Sequence, residues 1–290
     1  MKLATFTAGG APELGVVQGD RIVTLSRIAP GLPAQMIDLI AQWDACEPEV
    51  RRIAAAAAQT LPLAEVRLEA PIPRPGKIMA IGLNYADHIA ESGLGTPEHQ
   101  IWFAKAATSA SGPFDPIQIP KISPAVDYEA ELVAVIGKGG RHIGIGDAPA
   151  AVFGWCVGND ATERAWQHRT PQWTLGKSFD SHAPFGPWIT TADEVADPHA
   201  LDIRCEVNGE VRQSSNTRHL VFKVWDQIAH LSQAMTLEPG DLIFTGTPGG
   251  IGAAMKPMRF LQPGDHVRIE IEGLGAIDNP CAVEPTKVEQ

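Results

Sequence analysis

The chain has 290 residues, of which 44% are hydrophobic, and a formal net charge of −11 at pH 7. These values are typical of a folded globular protein with one large domain, or with a small domain and a larger one. A charge this negative, with no basic cluster to offset it, argues against nucleic acid as a partner.

Two further features concern the cellular compartment. The sequence has no run of about 18 apolar residues, so we expect no membrane-spanning segment, and its first residues lack the apolar stretch of a signal peptide. The cysteines are scattered without a CxxC pair, which is typical of free thiols in a reducing environment. We therefore expect a cytoplasmic protein that has neither a membrane nor nucleic acid as a partner.

The first part of the chain predicts a small N-terminal α+β domain. Apolar runs on both sides of Gln18-Gly19-Asp20 indicate short strands joined by a turn, and an alanine-rich stretch that ends before Pro62 indicates a helix. The prolines of 71–76 forbid a helix and disfavour a central strand, so we place the boundary there, between domains at 1–72 and 73–290. The predicted strands are 3–7, 14–18 and 21–25, and the predicted helices are 34–43 and 47–59.

Short β-type runs, punctuated by glycine and proline, dominate the rest of the chain. Only 217–234 has a convincing helical period, with one apolar stripe. We therefore expect an α+β fold that is mainly β, a mixed β-roll or barrel-like domain, rather than a doubly wound sheet. The predicted strands of this part are 78–81, 101–105, 129–137, 152–158, 201–207, 241–245 and 266–271.

The strongest chemical signal is the pair Glu129 and Glu131, which alternate along a predicted strand and therefore project to the same side. The residues that follow, 132–137, are apolar on both faces, so this strand runs into a core. Adjacent carboxylates there repel each other and lose hydration, which is unfavourable unless a cation compensates. With Asp160 as a third carboxylate they predict a site for Mg²⁺ or Mn²⁺. An exposed strand face paired with lysines is the alternative.

A second candidate group lies in 82–91, after another predicted strand. If this segment is helical, His88 and Glu91 lie three residues apart and face the same way. A carboxylate beside an imidazole orients the ring and raises its basicity, which suits a base that deprotonates water. A solvated surface pair is the alternative.

Lys177 lies between Gly176 and Ser178, in a segment that is no nucleotide loop, because Pro171 occupies a position where that motif needs glycine. We expect the ammonium to face inward and to stabilise an enolate or a carboxylate. A surface lysine is the alternative.

The glycine-rich loop 245–252 follows a predicted strand. Such a loop lets backbone amides approach an anion, and Thr247 adds a hydroxyl. A carboxylate-binding loop and a tight structural turn are both open interpretations. The loop does not match the dinucleotide fingerprint, because no βαβ unit follows it.

Together these segments resemble the fumarylacetoacetate hydrolase family over about 77–275, in the family's order. The resemblance implies a mixed β-roll behind a small N-terminal domain, and a homodimer. One departure is Leu83, where many short members have arginine, so a substrate that requires a cation there is in doubt. The matching strings are IGLNYADHIAES, SGPFDPI, VDYEAELVAVIG, GWCVGNDATERAWQ, WTLGKSFD, LEPGDLIFTGTPGGIG and LQPGDHVRIEIEGLG.

The resemblance also implies a role for each candidate residue. The metal ligands, for Mg²⁺ or Mn²⁺, would be Glu129, Glu131 and Asp160. The catalytic residues would be His88 and Glu91, on a segment that orders over the site, and Lys177 near the metal. The substrate contacts would be Gln167, Tyr85, Gly246 and Thr247.

The expected reaction is hydrolysis of the C–C bond of a 2,4-diketo acid, such as an acylpyruvate, fumarylpyruvate or a diketo-deoxy sugar acid, to pyruvate or a related 2-oxo acid and a carboxylic acid. Decarboxylation of oxaloacetate, or isomerisation or hydration of an unsaturated 2-oxo diacid, would use the same site, because each needs only a stabilised enolate. His88 and Glu91 favour hydrolysis, since decarboxylation needs no water-activating base. A catalytically idle metal-binding protein is disfavoured because every candidate position holds a competent residue.

Overall fold

The structure is a computed structural model that describes residues 1–93 and 95–286. Strands outweigh helices in it, and the predicted α+β, mainly β fold is confirmed. The strands are β1 (Lys2–Thr7), β2 (Glu13–Gln18), β3 (Arg21–Thr24), β4 (Thr60–Pro62), β5 (Arg67–Leu68), β6 (Ile78–Gly82), β7 (Ile101–Lys105), β8 (Ala110–Ser111), β9 (Ile117–Ile119), β10 (Val126–Asp127), β11 (Ala130–Ile136), β12 (Val152–Asn159), β13 (Thr162–Glu163), β14 (Ala183–Thr191), β15 (Asp202–Val207), β16 (Glu210–Asn216), β17 (Leu242–Phe244), β18 (His266–Ile271) and β19 (Gly275–Val283).

The helices are short, apart from α3 and α8. Among the described residues, none combines the length and the apolar composition that a membrane crossing requires. The helices are α1 (Leu25–Ile28), α2 (Met36–Ala41), α3 (Trp43–Ala56), α4 (Ala86–Ser92), α5 (Ala148–Ala151), α6 (Arg164–Gln167), α7 (Thr174–Lys177) and α8 (Val224–Ala234).

The predicted helix 217–234 is shorter than expected. A 3₁₀ turn covers Thr217–His219, and α8 begins only at Val224. The intervening backbone pairs with Asn84 instead: the N–H of Phe222 donates to the Asn84 side-chain oxygen at 2.8 Å, and the Asn84 amide donates to the Phe222 carbonyl at 3.0 Å. Because these groups are already bonded across the chain, they are not available for helical hydrogen bonds.

Most strands belong to one large sheet, in the order β4-β3-β2-β1-β14-β12-β11-β17-β6-β7, with β5 on β1 and β8 on β14. A second sheet has the order β16-β15-β18-β19-β9, and β10 pairs with β13. The N-terminal strands continue the large sheet, since Lys2 of β1 pairs with Thr190 of β14. The domain boundary and the homodimer stay predictions.

Strand β11 is buried along its whole length, as its two-faced apolar pattern predicts. Leu132 and Ala134 face the core shared with the second sheet and α8, whereas Val133 and Val135 face the core shared with the N-terminal helices. Alternation along the strand therefore assigns successive side chains to different cores. The two glutamates therefore lie at the N-terminal end of this buried strand.

Candidate active site

The pairing of β11 with β12 brings the predicted metal ligands together. Ala130 lies opposite Asn159, and Glu131 lies opposite Gly158. Just beyond the strand end, the N–H of Asp160 donates to the Glu129 carbonyl at 2.9 Å, and the N–H of Glu129 donates to the Asn159 side-chain oxygen at 2.9 Å. This register places the three carboxylates side by side, with one oxygen of each within 4.8 Å of the others.

Two buried lysines neutralise part of this negative charge. The Nζ atom of Lys177 lies 2.8 Å from Glu129 Oε2 and 2.7 Å from Asp160 Oδ2. The Nζ atom of Lys105 lies 2.7 Å from the other oxygen of Asp160. Helix α7 can bring Lys177 here because Gly176 packs on Gln167, where a Cβ atom would lie 2.3 Å from the Gln167 backbone nitrogen. Lys177 therefore faces inward in the structure, as the sequence predicts.

Arg164 adds a third cation and ties the cluster to a distant loop. Its Nη2 atom lies 2.6 Å from Glu129 Oε1 and 2.8 Å from Asp127 Oδ2. Asp127 in turn accepts hydrogen bonds from the N–H groups of Gly252 and Ala253, at 2.8 and 3.0 Å. The chain Glu129–Arg164–Asp127 thus joins the acidic strand to the end of the glycine-rich loop.

The two glutamates of the cluster differ in pKa, although both are buried. Burial alone raises the pKa of Glu129, but the positive charges of Lys177 and Arg164 outweigh it and hold the pKa below its ordinary value. Burial, followed by the charges of Asp160 and Glu129, holds the pKa of Glu131 well above its ordinary value. In the described part of the chain, Glu131 has a single hydrogen bond, from the N–H of Gly246 at 2.7 Å.

The cluster therefore suits a divalent cation. Its negative charge is not fully compensated at Glu131, its three ligands are all carboxylate oxygens, and hard cations such as Mg²⁺ and Mn²⁺ prefer oxygen ligands. A bound ion would offset the burial of the Glu131 carboxylate and its repulsion by Asp160 and Glu129, which together raise its pKa. The three predicted ligands form a candidate divalent metal site.

Helix α4 carries the predicted His–Glu pair, and its residues are held at the glycine-rich loop. Nδ1 of His88 lies 3.7 Å from Glu91 Oε2, a close approach but too long for a hydrogen bond. Glu91 accepts the N–H of Gly250 at 2.9 Å. His88 is buried and is close enough to Glu129 for a charged imidazole to lower that carboxyl's pKa. The helical segment that the spacing predicts is confirmed.

The glycine-rich loop begins beside the cluster. Gly246 has a φ of 108°, and a Cβ atom there would lie 2.8 Å from the Cβ of Asn84, so only glycine lets the loop pass and offer its N–H to Glu131. The neighbouring Thr247 is buried, and its hydroxyl accepts a hydrogen bond from Gln213 at 2.8 Å. The predicted contacts Gly246 and Thr247 thus lie at the acidic cluster.

The remaining predicted contacts also lie in this region. Tyr85 is fully buried, and its hydroxyl has no hydrogen-bond partner among the described residues. Burial, then the charge of Glu131, raises the pKa of Tyr85 above its ordinary value, so its ring lies near the cluster. Gln167 is buried, and its side-chain oxygen accepts from Arg164 at 2.9 Å. The roles given to these residues stay predictions.

Sequence reasoning missed Lys105, Asp127, Arg164 and Gln213. The period-two run Asp127, Glu129, Glu131 carried a signal for Asp127, and Arg164 lies only four residues after Asp160. Lys105 is the last residue of a predicted strand, and the sequence pattern does not indicate that its side chain faces inward. Leu83, the departure noted above, has a φ of 53°, an uncommon conformation for a branched residue.

Two family models match parts of the chain. The model of the fumarylacetoacetate (FAA) hydrolase C-terminal domain matches residues 77–282, and the Rv2993c-like N-terminal model matches residues 1–71. The chain is 46% identical to human oxaloacetate tautomerase FAHD2A, mitochondrial, over 96% of this chain and 91% of that protein.

Two solved structures are also similar along almost the whole chain. Each match covers 98% of this chain and 100% of the chain in the solved structure. Maleylpyruvate hydrolase from Sphingobium sp. SYK-6, in complex with manganese(II) ion and pyruvate, is 36% identical, with a TM-score of 0.83. The 5-carboxymethyl-2-hydroxymuconate delta-isomerase from Mycobacterium smegmatis is 31% identical, with a TM-score of 0.78.

The sheet-based fold and the buried acidic cluster define an enzyme with a candidate divalent metal site. The chain belongs to the fumarylacetoacetate hydrolase family. Its relatives include a tautomerase, a hydrolase and an isomerase, which share the family but not the reaction. The name of the human relative places that protein in mitochondria, and the cytoplasmic location expected for this chain stays a prediction.

Proposed function

We propose that this protein interconverts the keto and enol forms of a 2-oxo dicarboxylate, with oxaloacetate as the substrate. The observation that carries the proposal is the buried cluster of three carboxylates with Lys177 between two of them, in a chain 46% identical to an oxaloacetate tautomerase over 96% of its length. The reaction needs a group that holds the 2-oxo acid, a cation for the enolate oxygen and one proton carrier. The site has a candidate for each.

Glu129, Glu131 and Asp160 would hold Mg²⁺ or Mn²⁺, which when bound supplies a Lewis acid for the 2-oxo oxygen. Lys177 supplies a second positive charge. Burial lowers its pKa, but the charges of Asp160 and Glu129 outweigh this and raise the pKa above the ordinary value, so the ammonium stays charged at neutral pH. A fixed ammonium in a dry site stabilises the negative oxygen of an enolate.

His88 is the candidate proton carrier. It takes the proton from the carbon beside the keto group and returns it to the enolate oxygen, so that the substrate gains and loses no atoms. Glu91 faces Nδ1 of the imidazole at 3.7 Å and favours one orientation of the ring. Thr247 offers a hydroxyl to a carboxylate of the substrate, at the loop that Gly246 anchors to Glu131.

Hydrolysis of a C–C bond in a 2,4-diketo acid is the second candidate, favoured by the paired His88 and Glu91 and by the similarity to a maleylpyruvate hydrolase. In that reaction His88 would take its proton from a water that attacks the distal carbonyl, and the products would be pyruvate and a carboxylic acid. Decarboxylation of oxaloacetate and isomerisation of an unsaturated 2-oxo diacid pass through the same kind of enolate.

The test follows the enol of oxaloacetate by its ultraviolet absorbance, with chelator-treated protein before and after addition of Mg²⁺ or Mn²⁺. Pyruvate release from oxaloacetate and from a panel of acylpyruvates is measured on the same samples. We expect metal-dependent loss of the enol without matching pyruvate release. Cleavage of an acylpyruvate without acceleration of enol loss would refute the tautomerase and support the hydrolase.

A further inference from the structure

Gln213, in β16, is buried between the acidic strand and the glycine-rich loop, with 1% of its surface exposed. Its side-chain oxygen accepts the N–H of Ala130 at 2.9 Å, and its nitrogen donates to the Pro248 carbonyl at 2.8 Å. A backbone N–H only donates and a carbonyl only accepts. These two partners therefore fix which end of the amide is oxygen and which is nitrogen.

The orientation of Gln213 constrains the hydroxyl of Thr247. The same amide nitrogen lies 2.8 Å from Thr247 Oγ1. Because an amide NH₂ group is a donor only, the hydroxyl oxygen must accept from it, and the hydroxyl hydrogen must point elsewhere. Within the described ranges of the chain, Gln213 is the only hydrogen-bond partner of this hydroxyl. The hydrogen is therefore free to be donated to a ligand.

This free donor lies at the acidic cluster. Gly246, next to Thr247, donates its N–H to Glu131 at 2.7 Å, and Ala130, which Gln213 binds, lies between the two glutamates of the candidate metal site. Thr247 is itself buried, with 5% of its surface exposed. A hydroxyl that is fixed as a donor in a dry site is a strong binding group for a carboxylate oxygen.

We propose that Gln213 is a positioning residue that holds the Thr247 hydroxyl as a hydrogen-bond donor toward the carboxylate of the bound 2-oxo acid. The substrate class rests on the proposed function, and the role of Gln213 goes beyond it. Gln213 contacts neither substrate nor ion and acts through Thr247. Its removal therefore weakens carboxylate binding and leaves the metal ligands in place.

A double-mutant cycle of Gln213→Met and Thr247→Val tests this role. The probe is oxalate, titrated calorimetrically in the presence of Mn²⁺. Its two adjacent carboxylates stand in for the carboxylate and the neighbouring 2-oxo group of a 2-oxo acid, and it has no C–H bond to break. Each single variant should bind oxalate about tenfold more weakly, as expected for one hydrogen bond to a charged group. The double variant should bind no more weakly than Thr247→Val, because Gln213 acts through that hydroxyl. Losses that multiply to about a hundredfold would overturn the proposal.

Two further measurements separate positioning from simple destabilisation. Mn²⁺ affinity without oxalate should be unchanged in all variants, and a parallel loss would show that Gln213 supports the acidic strand instead. Gln227→Met is the matched control, because Gln227 is equally buried but, among the residues that the structure describes, donates only to the carbonyls of Phe222 and Thr245. Its oxalate affinity should be unchanged, and an equal loss there would overturn the role of Gln213.

Three further outcomes have distinct consequences. If Gln213→Met does not fold, Gln213→Asn replaces it in the cycle, since it keeps a polar amide at this position without adding a charge beside the metal site. A wild-type protein that binds oxalate but does not act on oxaloacetate would refute the proposed function, and the cycle would still decide the role of Gln213. A wild-type protein that does not bind oxalate would overturn both.

Discussion

Ser215 donates its hydroxyl hydrogen to Asp87 Oδ2 at 2.7 Å and so joins β16 to the first turn of α4. The other oxygen of Asp87 accepts the backbone N–H of His88 at 2.8 Å. Nδ1 of His219 lies 3.1 Å from the Ser215 oxygen, and since the serine hydrogen goes to the carboxylate, Nδ1 must carry a hydrogen and donate it. These contacts hold Asp87, the residue that precedes the candidate proton carrier His88.

Ser215→Ala should therefore loosen α4 and lower turnover. The contact lies at the surface, so we expect a loss of about 1 kcal/mol or less in the free energy of unfolding. We expect a three- to tenfold fall in kcat, because His88 is then held less firmly over the acidic cluster. Steady-state kinetics and thermal denaturation measure both. Ser214→Ala, on the opposite, exposed face of the strand, is the control. Equal kinetics for the two variants would contradict the role of the Ser215 contact.

Glu131→Gln should weaken divalent-ion binding and stabilise the metal-free protein. The variant keeps an acceptor for the Gly246 N–H but removes a charge that burial and two neighbouring carboxylates disfavour. We expect at least tenfold weaker Mn²⁺ binding by calorimetry, and a higher melting temperature without metal. Glu163→Gln, which changes a buried carboxylate outside the cluster, should leave Mn²⁺ affinity unchanged. Unchanged affinity in Glu131→Gln would refute the assignment of the site.

His88→Gln should remove the proton carrier without disturbing the metal ligands. General acid–base catalysis by one residue contributes about 10²- to 10⁴-fold, so enolisation should fall by that factor while Mn²⁺ affinity is retained. Any decarboxylation of oxaloacetate should be less affected, since it needs no base. His230→Gln, at an exposed position of α8, is the control. Enolisation at a rate near that of the wild type would place the proton carrier elsewhere.

Stability at acidic pH should depend on His182. Burial lowers its pKa from 6.5 to about 3, and its Nε2 atom lies 2.9 Å from the carbonyl of Gln118, to which the neutral ring donates. Below pH 6.5 the imidazole of His182 binds a proton in the unfolded chain but stays neutral in the folded protein. The free energy of unfolding therefore decreases as the pH falls from 6.5 to about 3. The slope is about 1.4 kcal/mol per pH unit.

Denaturant unfolding of His182→Gln between pH 7 and pH 4 tests this, because the variant lacks the titrating group. The difference in unfolding free energy between the wild type and the variant should change with pH by that slope. His99→Gln, which changes an exposed histidine, should follow the wild type. Parallel curves for wild type and His182→Gln would contradict the prediction.

The residue pairs of the candidate site were predictable where their spacing is local. Glu129 and Glu131 share a face by the period of a strand, and His88 and Glu91 share a face by the period of a helix. No local period links Asp160 to these residues, and the antiparallel pairing of β11 with β12 is what brings it beside the two glutamates. The predicted helix at 217–234 failed in its first part for the opposite reason, because Asn84, far away in the sequence, binds the backbone of Phe222.

The sequence by itself determined the fold class, the same-face pair Glu129 and Glu131, and the helix that carries His88, because strand and helix periods decide which neighbouring residues share a face. Only the tertiary structure decided how the cluster is held. Lys105 reaches Asp160 across 55 residues, and Gln213 reaches Ala130 across 83. A buried polar side chain needs a hydrogen-bond partner, and here that partner comes from a segment far away in the sequence. A local helix or strand period carries no information about such a long-range contact.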